Sequence, residues 1–400
     1  MASLATLAGC SAREAPVERP SPARYLYIWS GTGHGTGGSN FIAVVDVRSG
    51  STTYGQLLGT SPAIEGGMMP HHTEYVLPAG AKYYANDFMA GKNFLIDATI
   101  PESPRITAGP AVAPGFRQSH TFSRLQNSHV LMTMQFGDST RAGNPGGLAE
   151  LDTDGKLVRA TSSADSAFPG AAIRTYGLEV LASVDRVITT SSPMDTEKTA
   201  DVIQIWRLSD LALLKTVAMP GIPGDSVERY PFEVRMLADG KTALLNSYSC
   251  GFYRLSDLDR PEPKVDLVLS MREPRRFGCS VPVIRGKYWL MPIAYAHTIV
   301  TLDISDPAHP VEVSAFPTDS TFFPHWIAAD PGSNRLVLTE QGDGPPRVLM
   351  VRLDPSSGRL SWDERFQEAD STARGLSFAR ARWPNGLTGH AMPHGALFIP

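Results

Sequence analysis

The sequence predicts an all-β fold, a single seven-bladed β-propeller whose first blade is closed by strands from both ends of the chain. Three observations carry this expectation. An apolar run that ends at aspartate, followed by a polar turn and a second run, recurs seven times. A further hairpin precedes six of the seven repeats. The hairpin missing from the first repeat is supplied in halves by the two ends of the chain.

The aspartate repeat is read in FIAVVDV (Asp46), FLIDATI (Asp97), LAELDTD (Asp152), IQIWRLSD (Asp210), GFYRLSD (Asp257), IVTLDISD (Asp303) and VLMVRLD (Asp354). The steps between these aspartates, roughly 46–58 residues, match one four-stranded blade. Alternation and β-branched content mark the runs as strands. The preceding hairpins are HTEYVLPAGAKYYANDF, HTFSRLQNSHVLMTMQF, GLEVLASVDRVITTS, FEVRMLADGKTALLNSY, SVPVIRGKYWLMPIA and WIAADPGSNRLVLTE, most with Gly, Asn or Asp at the turn. GHAMPHGALFI reads as the inner strand of blade 1 and RYLYIWS as its neighbour, a pairing that leaves no open seam. Two β-sandwiches would also supply many strands, but not seven similar units with a matching split one.

Composition agrees with this reading. Apolar residues make up 42%, enough for a large core, and 36 glycines with 32 prolines favour turns over long helices. The net charge of −4, with no Lys/Arg run, gives no sign of a nucleic-acid or anionic-membrane surface. No apolar stretch reaches the ~18–20 residues of a transmembrane helix. The three cysteines, Cys10, Cys250 and Cys279, make no CxxC pair and no disulfide framework; Cys279 reads as a buried thiol, with a thiolate ligand as the alternative. The opening MASLATLAGC ends like a bacterial lipobox, with Cys10 as the lipidated residue. It lacks the basic start and longer apolar run of a complete signal, so the start reads as truncated or misassigned. Residues 1–22 are therefore expected to be signal and tether, and 23–400 the propeller. The expected location is periplasmic or lipid-anchored if this is a lipobox, and cytoplasmic otherwise.

Aligning the inner strands by their turns brings four histidine segments into one register: Pro70-His71-His72-Thr73 in blade 2, Gln118-Ser119-His120-Thr121 in blade 3, Phe323-Pro324-His325-Trp326 in blade 7 and Met392-Pro393-His394-Gly395 in blade 1. Blades 7, 1, 2 and 3 are neighbours in the ring. Inner-strand starts crowd one mouth of the channel, so these imidazoles are expected to converge there. Neutral imidazole suits copper, iron or zinc. His71, His72, His120, His325 and His394 are thus the candidate ligands. Strand alternation leaves open which of His71 and His72 faces the channel. His390 ranks below them. Glu74, on the His72 strand, and His297, in the blade 6 loop at the same mouth, are candidate catalytic groups. His34 and Asp138 lie in equivalent loops. His129 and His309 fall at outer turns and are excluded. There is no GxSxG elbow, Walker A loop or GxGxxG fingerprint.

YLYIWSG…NFIAVVDVRSGSTTYGQLLGT, MPHHTEY, SHTFSRL…MTMQFGD and, near the end, ARWPNG resemble segments of the selenium-binding protein/methanethiol oxidase family. The resemblance implies a seven-bladed propeller that binds copper through histidines and converts methanethiol and oxygen to formaldehyde, hydrogen sulfide and hydrogen peroxide. It carries His71, His72 and His120 over as metal-site residues. The chain departs from the family twice. TEYVLPAG lacks the cysteines associated with selenium, and SFARARWPNG lacks a histidine, for which His394 or His325 would substitute. The resulting expectation is a copper-dependent oxidase of a small thiol or related sulfur compound. The alternatives are an exported propeller that binds a ligand or metal without turnover and, more remotely, a four-histidine iron oxygenase of the carotenoid-cleaving type.

Overall fold

The computed structural model describes residues 20–33, 35–108, 113–137, 144–169, 172–194, 199–221, 229–271, 277–341 and 344–400. Seven antiparallel sheets, each with four strands in its main path, follow one another round a ring, and none of the described residues is α-helical. Blade 2 is representative, running Pro70–Thr73, Lys82–Asp87, Lys92–Asp97 and Arg105–Ala108 from axis to rim. The other inner strands are Phe116–Arg124, Thr175–Leu181, Pro231–Met236, Val283–Arg285 and Pro324–Ala329, for blades 3 to 7. In blade 1 the inner strand is Ala391–Ile399, paired with Tyr25–Thr32 from the other end of the chain.

Each of the seven aspartates ends or directly follows a third strand, except Asp210, which stands three residues beyond its strand. In six of them the carboxylate accepts the backbone N–H two residues on: Arg48 for Asp46, Thr99 for Asp97, Asp154 for Asp152, Ala212 for Asp210, Ser305 for Asp303 and Ser356 for Asp354. This is the Asx turn, and it explains why aspartate ends the run that precedes each outermost strand. Seven apolar clusters fill the seven seams between blades; Tyr25, Tyr27 and Trp29 of blade 1, for example, pack with Tyr83, Phe94 and Ile96 of blade 2. At the closing seam, Arg335 of blade 7 pairs with Asp330 at 2.6 Å, both buried, and donates to the carbonyls of Ala23 and Val47. The ion pair thereby latches the entry of blade 1.

The structure corrects one cysteine expectation. Cys279 is bonded to Cys250 in a disulfide with a Cα–Cα distance of 5.2 Å. Cys250, in the turn between the second and third strands of blade 5, meets Cys279 ahead of the short inner strand of blade 6. They stand 29 residues apart, and only the ring closure of adjacent blades brings them together.

Candidate metal centre

The inner strand of blade 2 is not a regular strand. Pro70 pairs with Asp87 and Thr73 with Ala85, so His71 and His72 together oppose Asn86. Two residues against one is a β-bulge, and it breaks the alternation that would send neighbouring side chains to opposite faces. Both imidazoles therefore enter one cluster, stacked with centroids 4.4 Å apart. Asn86 holds the bulge: its Oδ1 accepts the His72 N–H at 2.7 Å, and its Nδ2 donates to the Ser119 carbonyl of blade 3 at 2.5 Å. The device recurs. Thr133 accepts from Thr121 N and donates to Tyr176 O, and Thr190 accepts from Gly177 N and donates to Phe232 O. Asn246 donates to Cys279 O, Thr339 donates to His394 O, and Val281 N donates to His325 O. Each link runs from one blade to the backbone in or just ahead of the next blade's inner strand, so the neighbouring blade positions the segments of His120, His325 and His394, while Asn86 of blade 2 itself positions that of His71 and His72. Gly395 follows His394 because a Cβ there would lie 3.0 Å from the His71 carbonyl.

Five buried imidazoles result. Ring centroids are 4.2 Å apart for His71–His394, 4.9 Å for His71–His120, 4.1 Å for His72–His120 and 4.8 Å for His325–His394. They form two trios, His71/His325/His394 and His71/His72/His120, in each of which one ring nitrogen per residue lies within 4.8 Å of the others. His71 belongs to both. Neither ring nitrogen of His72 has a hydrogen-bond partner, and His120 Nε2 and His325 Nδ1 also lack one. His120 Nδ1 is fixed by Thr121 Oγ1 at 3.0 Å, which leaves Nε2 for the cluster. Buried ring nitrogens without hydrogen bonds are costly unless a ligand takes them, so the donor set fits an imidazole-preferring transition metal such as copper, iron or zinc.

Burial also keeps His72, His120 and His325 neutral, the form a metal needs. Desolvation pushes His72 and His120 well below the ordinary histidine value, helped by the neighbouring imidazoles, and lowers His325 to about 4. A histidine whose folded pKa is depressed stabilises the fold above its unfolded pKa, near 6.5, and loses that contribution as pH falls toward the folded value. For His325 the window runs from about 6.5 to about 4 and is worth roughly 3 kcal/mol. Metal-free protein is therefore expected to unfold at clearly lower urea at pH 4.5 than at pH 7.5, and bound metal, which needs the same neutral imidazoles, should keep or widen the gap. Equal urea midpoints at the two pH values in EDTA would contradict this.

The other sequence candidates lie elsewhere. Glu74 is buried, but its carboxylate takes the Tyr84 N–H and the guanidinium of Arg124 from blade 3, and it does not line the cavity at the mouth. The long-range arginine assigns this carboxylate to an ion pair across the blade 2–3 seam. His297 caps a tight turn, with Nδ1 on the Phe322 carbonyl and its ring against Phe323, also outside the cavity lining. His390 is exposed on the cavity wall. His129 bonds Glu150, and His309 bonds Asp306 in an exposed turn. His34, Asp138 and Cys10 lie outside the described residues.

Two features complete the mouth, and of their residues only Tyr176, at the inner-strand start of blade 4, was legible in the sequence. Tyr176, Phe232, Tyr248 and Phe277, from blades 4 and 5 and the entry to blade 6, line a cavity of about 780 Å³ together with His325, His394 and His71 of blades 7, 1 and 2. Glu340, at the end of the second strand of blade 7, also lines this cavity. Its Oε1 accepts Arg347 N at 2.7 Å while Oε2 has no partner, and burial lifts its pKa to about 7. Strand register held the signal: Glu340 pairs with Pro324, so the end of a second strand reaches the same mouth as the start of a first.

No protein-family model and no curated protein matches the chain in sequence. Solved structures match its fold. A hypothetical selenium-binding protein from Sulfolobus tokodaii is similar with a TM-score of 0.73 at 15% identity, over 96% of this chain and 94% of that one. The periplasmic gluconolactonase of Pseudomonas aeruginosa matches with a TM-score of 0.63 at 13% identity, over 94% and 99%. A candidate 6-phosphogluconolactonase from Bacteroides uniformis matches with a TM-score of 0.63 at 13% identity, over 94% and 100%. At these identities the likeness establishes the propeller fold and not an activity.

Proposed function

We propose that this propeller is a metal-dependent oxidase acting on a small thiol or related sulfur compound, with copper as the leading ion and iron as the other redox-active one; zinc suits the imidazoles but would supply no redox chemistry. The observation that carries the reading is the convergence of five buried imidazoles from four neighbouring blades on one mouth of the channel. The likeness to the selenium-binding protein of Sulfolobus tokodaii supports it, as do the motif resemblances around His71, His72 and His120. His71, His72, His120, His325 and His394 would hold the ion. When bound, a redox-active metal supplies one-electron chemistry with oxygen that no side chain here offers. The chain's own part is to bind substrate in the cavity against these histidines and to keep water from the buried face of the cluster. Glu340, buried with one free oxygen, is placed to hold or take up a substrate proton.

Export is part of the proposal. Lipid attachment at Cys10 would set the protein on the periplasmic side, and the Cys250–Cys279 disulfide suits an oxidising compartment. No helix among the described residues is long and apolar enough to cross a membrane.

The test is metal analysis of protein purified without a metal-affinity tag, followed by oxygen uptake with methanethiol. Near-stoichiometric copper and thiol-dependent uptake are expected. Metal without uptake on any small thiol would reduce the protein to a metal-binding propeller, and absence of metal after incubation with each of the three ions would overturn the reading.

A further inference from the structure

A two-heavy-atom thiol needs little of the cavity beside the histidines. Its volume of about 780 Å³ equals that of roughly 25 waters at about 30 Å³ each, a size usual for sites that take larger organic ligands. Its walls are asymmetric. Opposite the histidines runs an unbroken arc of rings, Tyr176–Phe232–Tyr248–Phe277, with successive centroids 4.3, 5.2 and 5.0 Å apart. The arc begins on His120, whose ring lies 3.6 Å from that of Tyr176. No lysine or arginine is among the described lining residues, and the one carboxyl is Glu340, 1% exposed with Oε2 unpartnered.

Each feature selects. Electron-rich ring faces attract an organic cation, and the attraction grows when the cation is stripped of water. A buried carboxyl with an unused oxygen is costly until a donor or a positive charge meets it. Among the described lining residues no basic side chain is present to pair with an anionic substrate such as a sugar phosphate. We propose that the cavity binds an organic ammonium compound with an apolar body, its cationic end between the aromatic arc and Glu340. This deepens the oxidase reading, and rests on it only in turning the ligand's sulfur toward His71, His325 and His394.

Benzyltrimethylammonium tests the proposal, since it has no lone pair to offer a metal. It is titrated calorimetrically into the whole 400-residue chain, EDTA-stripped and copper-loaded, beside benzyl alcohol and phenylacetate. The ammonium is expected to bind with Kd below about 1 mM, and at least about tenfold tighter than either comparator. Glu340→Gln keeps the side chain's shape and an acceptor for Arg347 N, and should weaken ammonium binding about tenfold while leaving benzyl alcohol unchanged. Phe277→Leu, at a half-buried position, should weaken it several-fold, and both variants should keep the parent melting temperature. Equal binding of the three probes, no ammonium binding, or undiminished binding by Glu340→Gln would overturn the proposal. Copper, iron and zinc uptake measured on the same preparation separates the two readings. Ammonium binding without uptake of any of the three defeats the metal reading and leaves this one standing; metal uptake without ammonium binding does the reverse.

Discussion

Replacing His71 with alanine is expected to lower metal affinity more than any other single histidine change, by more than about a hundredfold. The reason is geometric. His71 is the one imidazole shared by both trios, whereas His72→Ala and His120→Ala each break one trio and leave the other intact. The fold should survive, because the bulge that carries His71 is held by backbone and side-chain bonds through Asn86 and not by the imidazole itself. His309→Ala is the control, since His309 is exposed and bonds Asp306 within its own turn. Copper, iron and zinc per chain, with circular dichroism to monitor folding, read the result. Equal metal in wild type, His71→Ala and His309→Ala would remove the ligand assignment.

Deleting residues 390–400 is expected to abolish the cooperative thermal transition. The strand Ala391–Ile399 pairs along the length of Tyr25–Thr32 and buries Leu397, Phe398 and Ile399, each at most 5% exposed. At about 1.5–3 kcal/mol per large apolar side chain, these three alone account for roughly 5–9 kcal/mol. A whole domain is stable by only about 5–15 kcal/mol. The deletion also strips the inner edge from Tyr25–Thr32 and the carbonyl that accepts from Thr339. A truncated chain that melted at the parent temperature would show that this pairing does not hold the ring shut.

The aspartate repeat made the blades readable because an Asx turn leaves its mark within a few residues of sequence. The shared register of the histidines was readable for a similar reason: His71, His120 and His325 each precede a hairpin turn at a comparable distance, and His394 repeats the Pro-His pair of blades 2 and 7 on the final strand. What stayed hidden depends on partners far along the chain. That His71 and His72 share one face follows from Asn86 and the bulge it caps, and period-two alternation argues the other way. Arg124, from the next blade, engages Glu74. Cys250 and Cys279 meet only because blades 5 and 6 are neighbours. Glu340 was in view inside LVLTE, but its place at the mouth is a matter of register with Pro324.

Splitting blade 1 between the two ends also sets a timetable for the living cell. Chains leave the ribosome N-terminus first. His71, His72 and His120 emerge with the early blades, but His394 lies on the inner strand that follows the other six. The His71/His325/His394 trio therefore waits for its third imidazole until the strand that closes the ring has been made. Under the proposed metal reading, that trio would take up its ion only once this strand has paired.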